Sequence, residues 1–197
     1  MTERTNFDTA TRIVAADDGT TYDAVAIALH WAVALLVLFQ FITAIIWDDF
    51  PRGTRMELQS LHVSFGVIFT ALIIVRVVWR LVPGHQLSSL NAGWVRVASK
   101  VVHYLLYLLL ASQAVSGIVL RWAQGHPLSF FGLDIPAPFG AVEKGTRHQI
   151  HAIHEWIGWT IVIIAVAHAL AALYHHYVLK DRVLGRMFPP ARRAEIL

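Results

Sequence analysis

Four histidines lie inside long apolar segments of this 197-residue chain: His30, His62, His154 and His168. An ionisable ring in a membrane core is costly, so several of them together point to chemistry. His154 and His168 share one segment, IHEWIGWTIVIIAVAHAL, at a spacing of fourteen residues. On a helix that spacing turns through about 1400°, roughly 40° short of four turns, so both rings look out from nearly one face, ~21 Å apart along the axis. Neutral imidazole is a good haem-iron ligand, and two of them leave a low-spin iron with no open position, a centre that passes electrons and does not bind dioxygen. One ligand pair at each of two levels would hold two haems in series across a bilayer.

The elements that must position these rings are membrane spans. The chain is 56% hydrophobic and 15% charged, too apolar for an ordinary soluble domain. Apolar stretches run from about Ala24 to Trp47, Ser60 to Val82, Ala98 to Trp122 and Ala152 to Val178. Each is near or above the ~20 residues that cross hydrocarbon. The expected fold is an all-α membrane protein, a four-transmembrane-helix bundle at 24–178 with tails at 1–23 and 179–197. The first 23 residues are polar and mixed in charge, with no cleavable signal pattern, so the first span is expected to direct insertion. With no cysteine, disulfides, iron–sulfur clusters, thiolate ligation and covalent c-type attachment are excluded.

Lys and Arg accumulate on the cytoplasmic side of short loops. The two tails and the loop between the second and third spans carry eleven of the sixteen: Arg4, Arg12, Arg76, Arg80, Arg96, Lys100, Lys180, Arg182, Arg186, Arg192 and Arg193. The other two loops carry Arg52, Arg55, Arg121, Lys144 and Arg147. Both termini are therefore expected in the cytoplasm. The net charge of +3 needs only anionic lipid, not nucleic acid, to explain it. With that orientation the histidines match by depth, His62 with His154 on the outer side and His30 with His168 on the inner side. His103, early in the third span, matches the inner level equally well and could replace His30. Gly66 and Gly158, one turn after His62 and His154, would permit close haem approach.

Other residues carry less. His148, His151 and His154 form H-x-x-H-x-x-H, but steps of three do not place all three on one narrow helical face, which argues against zinc. His175 and His176 suit the end of the fourth span, where cationic rings favour the helix dipole, and nothing marks His85 or His126. Trp31, Trp47, Trp79, Trp94, Trp122 and Trp156 fit an interfacial aromatic belt. The loop from Arg121 to Arg147 contains FFGLDIPAPFG and is expected to lie over the outer mouth of the bundle. Arg52, Arg55, Lys144, Arg147 and His148 would ring that mouth, offering partners to haem propionates or steering a small anion.

With AIALHW around His30, FPRG and SLHVSFG around His62, VHYLLYLLL around His103, IHEWIGW around His154 and AHALAALYHHYVLKD around His168, the chain resembles the bacterial cytochrome b561 family from about Tyr22 to Pro190. The resemblance implies a multi-pass protein of the bacterial inner membrane with two b haems, one held by His30 and His168, the other by His62 and His154, and leaves His103 outside the ligand set. LYHHYVLKD, the FPR before the second span and FGL in the outer loop resemble most the branch that oxidises periplasmic superoxide to dioxygen and reduces ubiquinone. On that basis Arg52, Arg55, Lys144 and Arg147 become candidates for superoxide steering or propionate contact. Lys100 and His103, with Trp94 near the same level, become candidates for the quinone. The alternative within the family is an electron-carrying subunit between a dehydrogenase or hydrogenase partner and the quinone pool. A haem sensor or transporter is disfavoured, because doubly ligated sites on rigid helices oppose release.

Overall fold

The computed structural model describes residues 21–82 and 93–188. Four long helices dominate: α1 (Ala24–Ile46), α2 (Arg52–Leu81), α3 (Gly93–Ala123) and α4 (Lys144–Tyr177). All four are long and apolar enough to cross a membrane. Between α3 and α4 lies a small antiparallel hairpin, β1 (Leu128–Phe130) and β2 (Leu133–Ile135). Short 3-10 turns follow α1 at Trp47–Asp49 and α4 at Leu184–Met187. Arg4, Arg12, His85, Arg192 and Arg193 fall outside the described residues.

Helix α1 begins where the Asp23 carboxylate accepts from the Ala26 N–H at 2.9 Å, a side-chain N-cap. The same carboxylate oxygen accepts from the Trp79 indole N–H at 3.1 Å, so the start of α1 is tied to the end of α2. Helices α2 and α4 each begin eight residues before the apolar stretch expected from the sequence, at Arg52 and Lys144 instead of Ser60 and Ala152. The added turns are polar, so hydropathy passes over them, yet backbone hydrogen bonding carries the helix on into the interface.

Helix α1 packs chiefly on α2 and α3 on α4, with α2 and α3 joining the two pairs. Among the described residues, Val33, Phe69, Ile73, Leu110 and Ile161 meet in a buried apolar cluster, with contributions from all four helices. Leu35, Ile74, Leu108 and Ile163 are more than half exposed, the arrangement expected where the surroundings are lipid tails.

The loop after α3 is more ordered than an apolar cover needs to be. Its turn residues, Phe131 and Gly132, have φ of 44° and 90°, the doubly positive pattern of a tight two-residue hairpin turn. Left-handed backbone at Phe131 costs about 1–2 kcal/mol. Its N–H donates to the Ser64 hydroxyl at 3.2 Å, and its ring packs on Phe65 at 5.7 Å. The Ser64 hydroxyl also reaches the Ser129 carbonyl at 3.4 Å. The hairpin is thereby fastened to α2 two residues from His62.

Candidate functional site

The four membrane histidines meet in pairs. The ring centres of His62 on α2 and His154 on α4 are 6.4 Å apart, and those of His30 on α1 and His168 on α4 are 6.5 Å apart. An imidazole nitrogen binds a first-row metal at ~2.0–2.1 Å and sits ~1.1 Å from its ring centre, so two imidazoles on opposite sides of one iron have centres ~6.3 Å apart. Both pairs fit a shared haem iron. His103 lies 5.2 Å from His168, shorter than that spacing. All four paired histidines are half-buried, whereas His103 is exposed and its Nδ1–H donates to the Ser99 carbonyl at 2.6 Å.

Polar groups line these rings. Thr43 Oγ1 lies 3.3 Å from His62 Nδ1 and Ser116 Oγ lies 2.9 Å from His154 Nδ1. The Gln40 amide donates to the His62 carbonyl at 2.9 Å, while the Gln113 amide nitrogen lies 3.2 Å from His154 Nε2. The carbonyl oxygens of Gln40 and Gln113 are both buried without a partner among the described residues. A Cβ at Gly66 would sit 3.2 Å from the Gln40 amide, one at Gly158 3.3 Å from the Gln113 amide, and one at Gly117 3.1 Å from His154 Cε1. These glycines keep room for the polar side chains and the His154 ring. Trp47, expected only as an interfacial anchor, packs edge-on against His62 at 5.3 Å.

These contacts expose a pattern that hydropathy does not show. In α2, Arg52-Gly-Thr-Arg55 is followed by His62 and Gly66; in α4, Lys144-Gly-Thr-Arg147 is followed at the same spacings by His154 and Gly158. In α1, His30, Gln40 and Thr43 match His103, Gln113 and Ser116 of α3. The two helical hairpins repeat one another in sequence and in their contacts. Comparing the chain with itself would have found Gln40, Thr43, Gln113 and Ser116 beforehand. The repeat breaks at the other level, where Arg76 of α2 occupies the position that His168 holds in α4. Arg76 Nη2 lies 2.9 Å from His30 Nδ1, and its Nε donates to the Tyr107 hydroxyl at 3.3 Å.

Arg55 and Arg147 each precede a histidine of the His62–His154 pair by seven residues, roughly 20° short of two turns and ~10.5 Å along the helix, so each lies above its histidine on nearly the same face. Both are half-buried and both have a buried Nε without a partner among the described residues. Arg55 also pairs with Asp48 at 3.5 Å. Arg52 and Lys144 are exposed at the same end of the bundle. Lys100 and Trp94 are exposed beside the start of α3, on the helix that carries His103. His126, His148, His151 and His176 are exposed, and no metal-binding group of three or more His, Cys, Asp or Glu occurs among the described residues. His175 pairs with Asp181 just beyond α4.

Four membrane-crossing helices that present facing imidazoles at haem-iron spacing define a membrane cytochrome of the b type. The chain belongs to the prokaryotic cytochrome b561 family, whose model matches residues 21–190. It is 32% identical to cytochrome b561 homolog 2 of Escherichia coli (strain K12) over 172 residues, covering 84% of this chain and 90% of that protein. It is 29% identical to the probable superoxide oxidase CybB of Yersinia pestis, covering 87% of this chain and 97% of that one. It is also 29% identical to cytochrome b562 of Cereibacter sphaeroides, over 86% and 96% of the two chains. Membership implies b-type haem and electron transfer in a bacterial membrane.

Proposed function

We propose that this cytochrome oxidises superoxide to dioxygen on the outer side of the bacterial inner membrane and delivers the electrons to ubiquinone. Two b haems, when bound, supply the one-electron carriers. His62 and His154 hold the outer one, His30 and His168 the inner one, and both termini lie in the cytoplasm. The observation that carries the substrate is the matched pair Arg55 and Arg147, two half-buried guanidiniums above the His62–His154 pair, each with a donor still unpaired among the described residues. A guanidinium donates hydrogen bonds and carries fixed charge, so the pair suits an anion or a haem propionate. Arg52 and Lys144 add exposed positive charge that steers superoxide toward them. The name of the Yersinia pestis relative agrees with this substrate.

At the inner level Lys100 and His103 are the proposed quinone contacts. With its Nδ1–H committed to the Ser99 carbonyl, His103 keeps Nε2 as an acceptor for a quinol hydroxyl. Each superoxide yields one electron, and two electrons with two protons convert ubiquinone to ubiquinol. The test is to add enzymatically generated superoxide to the purified protein and follow b-haem absorbance with and without ubiquinone. Rapid reduction, reversed by ubiquinone with ubiquinol formed, is expected. Haems that respond only to another donor, together with a co-purifying polypeptide, would overturn the reading in favour of an electron-transfer subunit serving a dehydrogenase or hydrogenase.

A further inference from the structure

We infer that Thr43 and Ser116 are positioning residues for the His62–His154 pair, each fixing the ring tautomer that places the lone pair on Nε2, the nitrogen that would hold iron; this rests on the ligand reading above. A hydroxyl has one hydrogen. Thr43 Oγ1 lies 2.9 Å from the Phe39 carbonyl and 3.0 Å from that of Gln40, and Ser116 Oγ lies 3.1 Å from the Gln113 carbonyl. With that hydrogen given to the backbone, the oxygen can only accept from the ring, so Nδ1 carries the imidazole proton and the lone pair is on Nε2. At His154 the Gln113 amide nitrogen also lies 3.2 Å from Nε2, so iron bound there would take the place of that contact.

The same device occurs at matching positions of the two hairpins, on different helices, and Thr43 is nearly fully buried. At the other level the polarity is reversed. The Arg76 guanidinium 2.9 Å from His30 Nδ1 has only donors, so Nδ1 accepts and the proton sits on Nε2. The His62–His154 pair therefore carries its lone pairs on Nε2, whereas His30 must move its proton from Nε2 before that nitrogen can bind.

An acceptor on Nδ1–H raises ligand basicity, and loss of such partners typically weakens metal binding about 10–100-fold. A more basic ligand favours ferric over ferrous iron, so removing the acceptor raises the midpoint potential. The experiment compares Thr43→Val, Ser116→Ala and the double variant with Thr43→Ser and Ser116→Thr, reading haem-to-protein ratio, the potentiometric titration and low-spin electron paramagnetic resonance of the purified holoprotein. The valine and alanine variants are expected to favour the ferrous form of one haem about tenfold, 59 mV for a one-electron couple, and to bind it less tightly, while the hydroxyl-retaining variants keep the native signal. Unchanged potential, spectrum and occupancy would overturn the assignment. His62→Ala separates the two inferences: if it loses one haem while the hydroxyl variants behave as the native protein, the positioning role alone fails; if it keeps both haems, the ligand reading fails. Should the double variant not accumulate, either single variant carries the same test.

Discussion

His103 is the residue at which spacing and geometry part. By depth it equals His30, and in the repeat it is His30's counterpart, yet it is exposed and stands 5.2 Å from His168, whereas His30 stands at 6.5 Å. His62→Ala, His154→Ala and His168→Ala are each expected to lose one haem of two, while His103→Ala keeps both and slows quinone reduction. Haem-to-protein ratios and haem reoxidation by added ubiquinone check both halves of that expectation. The glycines give a second test. An added Cβ at Gly117 would press on His154 Cε1 at 3.1 Å, so Gly117→Ala should displace the ring and broaden the spectrum of that haem. The existence of paired imidazoles was legible in the sequence because histidine in hydrocarbon is rare and costly. The hydroxyls beside them were not, because Thr and Ser bond to helix backbone in many membrane spans and gain meaning only from what lies across the bundle.

Two short elements hold the ends of the bundle. On the proposed outer side, Ser64 links α2 to the β1–β2 hairpin through the Phe131 N–H and the Ser129 carbonyl. Each such hydrogen bond contributes about 0.5–1.5 kcal/mol, and Phe131 also carries backbone strain. Ser64→Ala is therefore expected to loosen the hairpin before the helices, seen as faster amide hydrogen exchange at 128–135. At the opposite end, the Leu184–Met187 turn returns to α1, where the Trp31 indole N–H donates to the Met187 carbonyl at 2.8 Å and the Phe188 ring packs on Trp31 at 5.5 Å. Asp181 shapes the chain leading there. Its slight desolvation opposes ionisation, but hydrogen bonds from His175 and the Val183 N–H outweigh it and hold its pKa below the usual 3.8. A carboxylate with a lowered folded-state pKa stabilises above its unfolded value and loses that contribution as pH falls through the folded one. The docked segment should hold at neutral pH and loosen only below about pH 4, and Asp181→Asn should loosen it at every pH, both followed by Trp31 fluorescence in a background lacking the other tryptophans.

At the scale of the whole molecule, the proposed orientation and the proposed reactivity both rest on charge. Because the chain has no cysteine, single introduced cysteines report sidedness directly. Gly140→Cys should react with a membrane-impermeant maleimide added to intact spheroplasts, and Arg182→Cys only after lysis; the reverse would invert the proposed topology. Arg52→Gln with Lys144→Gln removes exposed charge while leaving Arg55 and Arg147 in place. Superoxide-driven haem reduction should slow by roughly tenfold or more at low salt and lose most of its salt dependence, with haem content unchanged.

The sequence by itself determined that the chain has four segments long and apolar enough to cross a membrane and that these carry His30, His62, His154 and His168, because hydrophobic length and helical pitch are properties of one segment at a time. The polar starts of α2 and α4 escaped hydropathy, yet they carry the Arg-Gly-Thr-Arg and Lys-Gly-Thr-Arg turns that place Arg55 and Arg147 above the site. Only the tertiary structure decided that His30 stands 6.5 Å and His103 5.2 Å from His168, that Thr43 and Ser116 meet the rings, and that Arg76 meets His30. Those are distances between helices. They depend on how the apolar faces around Phe69, Leu110 and Ile161 pack, and no periodicity within a single helix contains that information.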